Sequence, residues 1–170
     1  MSLHLPLTDA LRNELAHIEP VVIGGVSYFP CAAYTKSGQL LNCVYVVEAE
    51  GYYRRWGVWP EDDSAKLSLP VGDVSSIAES AHRLPAQFAK KIYADGESGM
   101  GYHVFVVRFK NGVEQKYVSG GAMDFISYPN GLRGEDIADV SSRANTEGQL
   151  LSTPSYFWCL YSGPSPHSNL

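Results

Sequence analysis

Glu97, Ser98 and His103 are the residues of this chain whose types and spacing come closest to an acid–base site. A carboxylate beside an imidazole orients the ring and raises its basicity, as activation of water or a hydroxyl requires. The three surround a glycine-rich bend, Gly96-Glu97-Ser98-Gly99-Met100-Gly101. A nucleophile elbow at Ser98 would need glycine two residues away on each side, at a strand-to-helix turn. Position 100 is Met, and the bend leads from a helical pattern into a strand pattern. The same order removes a phosphate loop. Gly96, Gly99 and Gly101 lack the Lys-Ser/Thr of that motif, and a helix C-terminus has the wrong dipole sign for an anion. His103 also shares strand parity with Phe105, Val107 and Phe109, so a satisfied core histidine is the plainer account. An enzymatic reading is therefore hydrolase-like, with Glu97, Ser98 and His103 joined through the fold by Asp124 or Cys31.

Tyr52-Tyr53-Arg54-Arg55-Trp56-Gly57-Val58-Trp59 is the best candidate for binding. Read as a strand, it places Tyr52, Arg54, Trp56 and Val58 on one face and Tyr53, Arg55 and Trp59 on the other. Flat rings bury area while guanidinium groups stack and fork, a composition common at binding hot spots. The plainer account is an outer strand whose arginine stems cover aromatic core residues. Tyr52, Trp56 and Trp59 are equally suited to wall a small-ligand groove.

No metal or cofactor is implied. The five histidines, His4, His17, His82, His103 and His167, show no ligand spacing, and the three cysteines, Cys31, Cys43 and Cys159, form no C-x-x-C. Each cysteine lies in an apolar run, where reduced cysteine behaves as a small hydrophobe, so a reducing cytoplasmic setting is expected. A cysteine–histidine pair such as Cys31 or Cys43 with His103 would need a lowered thiol pKa. Acidic residues gather at Glu61-Asp62-Asp63 and at Asp124, Glu135, Asp136 and Asp139. They suit solvated loops and a helix start, or a rim that docks a basic partner or holds a hard cation, with no Ca²⁺-loop spacing present. Thirteen basic against eighteen acidic side chains leave a net charge of −5, which argues against nucleic acid as a partner. No apolar run reaches the roughly 18 residues of a spanning helix, and Met1–Pro6 does not read as a signal peptide.

The elements that would position these residues read as α+β. Leu7, Leu11, Leu15 and Ile18 give an N-terminal helix one apolar face, with Thr8 or Asp9 to cap it. Val21–Trp59 reads as an antiparallel meander with tight turns at Lys36–Gln39 and Glu50-Gly51. Leu84–Gly96 reads as a helix with Pro85 in its first turn and Gly96 just past its end. Asn111-Gly112 marks a two-residue hairpin turn after the strand Tyr102–Phe109. Val74–Ala81 is ambiguous, Ala122–Tyr128 follows a Gly-Gly break, Glu135–Ser142 suggests one or two helical turns, and Tyr156–Tyr161 reads as a last apolar strand. The expectation is a mainly antiparallel sheet of about six or seven strands, with the N-terminal helix and one or two further short helices packed on it. A single domain over 1–161 with a tail over 162–170 is expected, and no internal repeat is legible. Function reads as a protein-interaction or ligand-binding module with a basic protein or small ligand as partner, ahead of the hydrolase-like alternative.

Overall fold

The computed structural model describes residues 4–142 and 149–166. By its internal contacts the chain divides into two compact units, Met1–Ala81 with Ser155–Leu170, and His82–Pro154.

The first unit begins with helix α1 (Asp9–Leu15), whose Thr8 hydroxyl accepts from the Leu11 amide at 3.2 Å as an N-cap. Strands β1 (Val21–Ile23), β2 (Val26–Thr35) and β3 (Leu40–Glu48) follow. Helix α2 (Ala49–Trp56), the two-residue β4 (Leu67–Ser68) and β5 (Val74–Ala78) come next. The unit is completed by β10 (Phe157–Tyr161), which follows the second unit in the chain. The sheet runs β1-β2-β3-β10-β4, with β5 also on β2. One face buries Leu11, Leu15, Phe29, Cys31, Val44, Val46 and Cys159 in a single apolar core. Alternation along each strand sends Tyr28, Tyr45 and Trp158 to the opposite face, where α2 packs on β3 and β10. Ser162, expected in a tail, bridges Pro6, and the Pro164 carbonyl accepts from Arg12. The remainder of that tail, with His167, lies outside the described residues.

The second unit holds α3 (Ala86–Asp95), β6 (His103–Phe109), β7 (Glu114–Ser119), β8 (Ile137–Ser141) and β9 (Leu150–Ser152). Its sheet order is β8-β6-β7-β9. Leu84, Ala89 and Ile92 pack with Phe105, Val107, Phe109 and Tyr117 in its core.

The two units repeat one topology. In each, a helix precedes a hairpin, a 3-10 turn leads an antiparallel edge strand onto the first hairpin strand, and a last strand joins the second hairpin strand in parallel. The turns are Val71–Asp73 and Gly134–Asp136. Both hairpins close through three residues, Lys36-Ser37-Gly38 and Lys110-Asn111-Gly112. Gly38 (φ 89°) and Gly112 (φ 92°) take the left-handed position that such loops require. The Lys36 amide donates to the Asp73 carbonyl, and the Lys110 amide to the Asp136 carbonyl, both at 2.8 Å. Each edge strand slips register at the matching place, Tyr34/Thr35 and Arg108/Phe109. Lys-(Ser/Asn)-Gly is too short a shared string to show this repeat in the sequence.

The α+β class, the N-terminal helix and the helix before the glycine bend agree with expectation, and several local readings are corrected. Both sheets are mixed, because β10 and β9 pair in parallel with β3 and β7. Ten strands are present among the described residues, in two sheets. The Asn111-Gly112 turn has a three-residue loop, since the Phe109 amide already donates to the Val113 carbonyl. The largest correction concerns Tyr52–Trp59. Ala49–Trp56 is a helix, N-capped by a Glu48 carboxylate that accepts from the Gly51 amide and ended by Gly57 at φ 74°. Arg54 and Arg55 stand in its last turn, where cations suit the dipole. Gly51 makes no turn. A Cβ there would lie 3.1 Å from Val26 Cγ1, so glycine lets the helix approach β2. Val74–Ala78 is a strand, Glu135–Ser142 becomes a 3-10 turn followed by β8, and 122–128 contains no named strand, only a bridge of Phe125 to Arg83.

Candidate functional site

The face of the first sheet opposite α1 carries a cluster of rings centred on Trp158. Its indole meets Tyr45 at 5.0 Å, Tyr52 at 5.0 Å, Tyr156 at 5.5 Å, Tyr28 at 6.1 Å and Trp56 at 6.1 Å between centroids. Tyr45 is stacked on it, while Tyr156, Tyr52 and Tyr28 present edges. These are the geometries favoured by the ring quadrupole. Strand pairing brings Tyr45 beside Trp158, and the helical i, i+4 spacing brings Tyr52 and Trp56 over it together. The repeat does not reproduce the cluster. Beside the Val44–Phe157 pair stands Tyr45–Trp158, whereas beside Tyr117–Leu151 stands Val118–Ser152.

Into this cluster reaches Lys66. Parallel pairing of β4 with Phe157 and Trp158 sets the lysine at the edge of the rings. Its Nζ lies 4.2 Å from the Trp56 centroid, 5.5 Å from that of Tyr52 and 5.9 Å from that of Trp158. It donates to Tyr52 Oη at 3.1 Å, and Asp63 Oδ2 is 4.0 Å away. The side chain is 20 % exposed, and loss of water lowers the Lys66 pKa against the opposing pull of Asp63. Burial likewise drives the Tyr52 phenol up, helped by the Asp63, Tyr156, Tyr28 and Glu61 charges. Neither Tyr28 Oη nor Trp56 Nε1 completes a hydrogen bond, although the indole N–H is near enough to ease ionisation of the phenol.

Outward from the cluster, α2 and the Pro60–Asp62 turn form a polar aromatic surface. Tyr53 is 46 % exposed and its ring lies 4.6 Å from Trp59, which lies 4.5 Å from His4. His4 Nε2 contacts Glu61 Oε1 at 2.9 Å. The Arg55 guanidinium is 5.4 Å from the centre of Trp56, and Arg54 is exposed. Of the expected binding residues, Tyr53's neighbours Arg54, Arg55, Trp56 and Trp59 reach this surface, while Tyr52 is fully buried beneath it. Lys66, Tyr156 and Trp158 were not legible as site residues. Lys66 follows an acidic loop like any solvated lysine, and Tyr156–Tyr161 reads only as core.

The residues around the glycine bend are arranged otherwise. Glu97 is exposed and its Oε2 accepts from the Gly101 amide at 3.2 Å. Ser98 Oγ accepts from the Val104 amide at 2.8 Å. His103 is buried, and its Nδ1 faces the Gly120 carbonyl at 3.0 Å, so that nitrogen carries the hydrogen. Among the described residues no hydrogen bond joins His103 to Glu97 or Ser98. A Cβ at Gly99 would meet the Tyr102 ring, so any larger residue there requires that exposed side chain to move. Asp124 is buried in the second unit, where Tyr93 Oη donates to its Oδ2 at 2.5 Å. Among the described residues no three His, Cys, Asp or Glu side chains gather as metal ligands.

The three cysteines are free and buried. Burial pushes the Cys43 thiol up to about 11 and the Cys159 thiol up to about 12. At about pH 8 a pKa of 11 leaves roughly a thousandth of the thiol ionised, and the thiolate is the reactive form. An aromatic disulfide reagent is therefore expected to leave the native protein unlabelled for hours and to titrate all three thiols within minutes in concentrated guanidinium chloride. Rapid native labelling of Cys43 would show an accessible thiolate.

Comparison of the chain with protein-family models, with curated proteins and with solved structures finds no match. Among the described residues no helix is long and apolar enough to cross a membrane.

Proposed function

We propose that this protein is a small interaction module whose binding surface is helix α2 with the Pro60–Asp62 turn, and whose partner is a basic protein. The observation that carries the reading is the exposed Tyr53 with Arg54, Arg55 and the half-buried Trp56 on a helix packed on the sheet, beside the half-buried Trp59 just past its end. Aromatic rings and guanidinium groups held in place lose little entropy on binding and offer both apolar area and forked donors. The Glu61, Asp62 and Asp63 carboxylates border these rings, and the chain carries a net charge of −5, so a cationic partner is favoured on approach. Three free cysteines fit a reducing compartment such as the cytoplasm.

The test is a pull-down at low and high salt from the native lysate with wild type and a Tyr53→Ala/Arg55→Ala double variant. Wild type should retain a stoichiometric basic protein at low salt and release it at high salt. The double variant should bind that protein at least about tenfold more weakly, the effect of losing a hot spot. Equal retention by both proteins would remove α2 as the binding surface.

A further inference from the structure

We infer that Tyr52, Trp56 and Trp158 form an aromatic cage for a methylated or quaternary ammonium group, and that Lys66 is its built-in plug. The inference rests on reading this face as a binding surface, and it names the group that the surface takes. The cage already holds an alkylammonium. Three ring centroids lie within 6 Å of Lys66 Nζ, with Trp56 nearest at 4.2 Å. That is the range over which ring quadrupoles attract a cation.

The occupant is poorly suited to its seat. A primary ammonium has three N–H groups to satisfy, and Lys66 has one hydrogen bond, to Tyr52 Oη at 3.1 Å, with the Asp63 carboxylate no closer than 4.0 Å. The side chain is 20 % exposed, so part of its water is gone, and Tyr52 Oη replaces one hydrogen bond of it. A methylated ammonium has few or no N–H groups to leave unpaired and keeps the whole attraction of the rings. The Lys66 stem turns about four carbon bonds and its segment is short and partly exposed, so the side chain can swing out toward the acidic run Glu61–Asp63 while the buried Tyr52 and Trp158 rings stay in place. Those carboxylates also lie where a positively charged ligand would approach. The second unit has Val118 and Ser152 where the first has Tyr45 and Trp158, so the cage is an addition to the repeated frame.

Tetramethylammonium chloride is titrated into the full chain, with sodium chloride as the ionic-strength control, and read by tryptophan fluorescence and the indole N–H resonances. Lys66→Ala should bind the cation saturably and about tenfold more tightly than wild type, because the lysine no longer fills the seat. Trp56→Ala in the Lys66→Ala background should abolish that binding, with near-ultraviolet circular dichroism reporting that the fold is kept. Lys66→Gln, which preserves the stem, replaces the alanine variant if the latter fails to fold. Absence of saturable binding by the plug variant, or binding no tighter than wild type, overturns the inference. A trimethyl-lysine peptide forms the second arm. Tighter binding of the peptide than of the salt identifies a protein side chain as the source, and equal binding identifies a free cation. No partner protein enters this titration, and the pull-down variant leaves Tyr52, Trp56, Trp158 and Lys66 unchanged, so failure here and failure of the pull-down are separate results.

Discussion

Raising the pH above about 10 is expected to unfold the protein, with tyrosinate absorbance rising as near-ultraviolet circular dichroism is lost. Burial raises the pKa of Tyr28, Tyr52, Tyr117, Tyr128 and Tyr161, with Tyr117 and Tyr161 pushed up to about 12. It does the same to Cys43 and Cys159. In the unfolded chain phenols and thiols ionise at their ordinary values near 10 and 9, while the folded chain keeps their protons. The folded state therefore binds more protons above those values. The stability contribution is whole below the unfolded pKa and is lost as pH rises toward the folded one. Each such group takes away about 1.4 kcal/mol per pH unit once its unfolded form is ionised. Lys66 works in the opposite sense, because its lowered pKa lets folding gain as pH rises toward the ordinary lysine value. In the first unit one lysine is set against three phenols and two thiols, and in the second Tyr117 and Tyr128 act without such a lysine, so the loss wins in each. Against a typical stability of about 5–15 kcal/mol, one to two pH units suffice. Gradual ionisation with the dichroism retained would mean that water reaches these phenols in the native state.

Trp158→Ala is expected to cost about 3–5 kcal/mol in urea unfolding, the range for truncating a large buried aromatic. The residue is 3 % exposed and touches five other rings, so its removal leaves a cavity that rigid neighbours cannot fill. Ring–ring geometry adds about 0.5–1.5 kcal/mol per favourable pair, without strict additivity. Lys66 would also lose one of its three ring faces. Trp59→Ala is the comparison. Trp59 is only half-buried and packs on Tyr53 and His4 at the surface, so its truncation should cost about 1 kcal/mol. Equal losses for the two variants would mean that the Trp158 cluster collapses on truncation and is not the rigid platform the cage needs.

The glycine bend and Tyr52–Trp59 show why some of the site could be read and some could not. At Gly96 a positive φ of 78° was legible because few residues other than glycine take it beyond a helix. At Gly51 the same residue type serves a different need, close approach to Val26, and only the neighbour reveals that. Tyr52-Tyr53-Arg54-Arg55-Trp56 shows aromatic residues at spacings that satisfy a period of two as well as a period of 3.6. Tyr52 and Trp56 share a face under either reading. Glu48 as cap, Gly57 as terminator and the sheet beneath select the helix. The aromatic composition was therefore readable, and the conformation that exposes Tyr53 while burying Tyr52 was not.

What the sequence by itself determined are features set by residues close in the chain. The Thr8 cap and apolar stripe of α1, the start and stop of α3, the glycine loops of the hairpins and the buried strand ending at Tyr161 all depend on local sterics, capping and side-chain period. The tertiary structure alone decided the parallel docking of β10 and β9, the repetition of one topology, and the seating of Lys66 among Tyr52, Trp56 and Trp158. These join residues as far apart as Val44 and Phe157. Their pairing is settled by which apolar faces can be buried together once the loops close, a choice that no window of neighbouring residues contains.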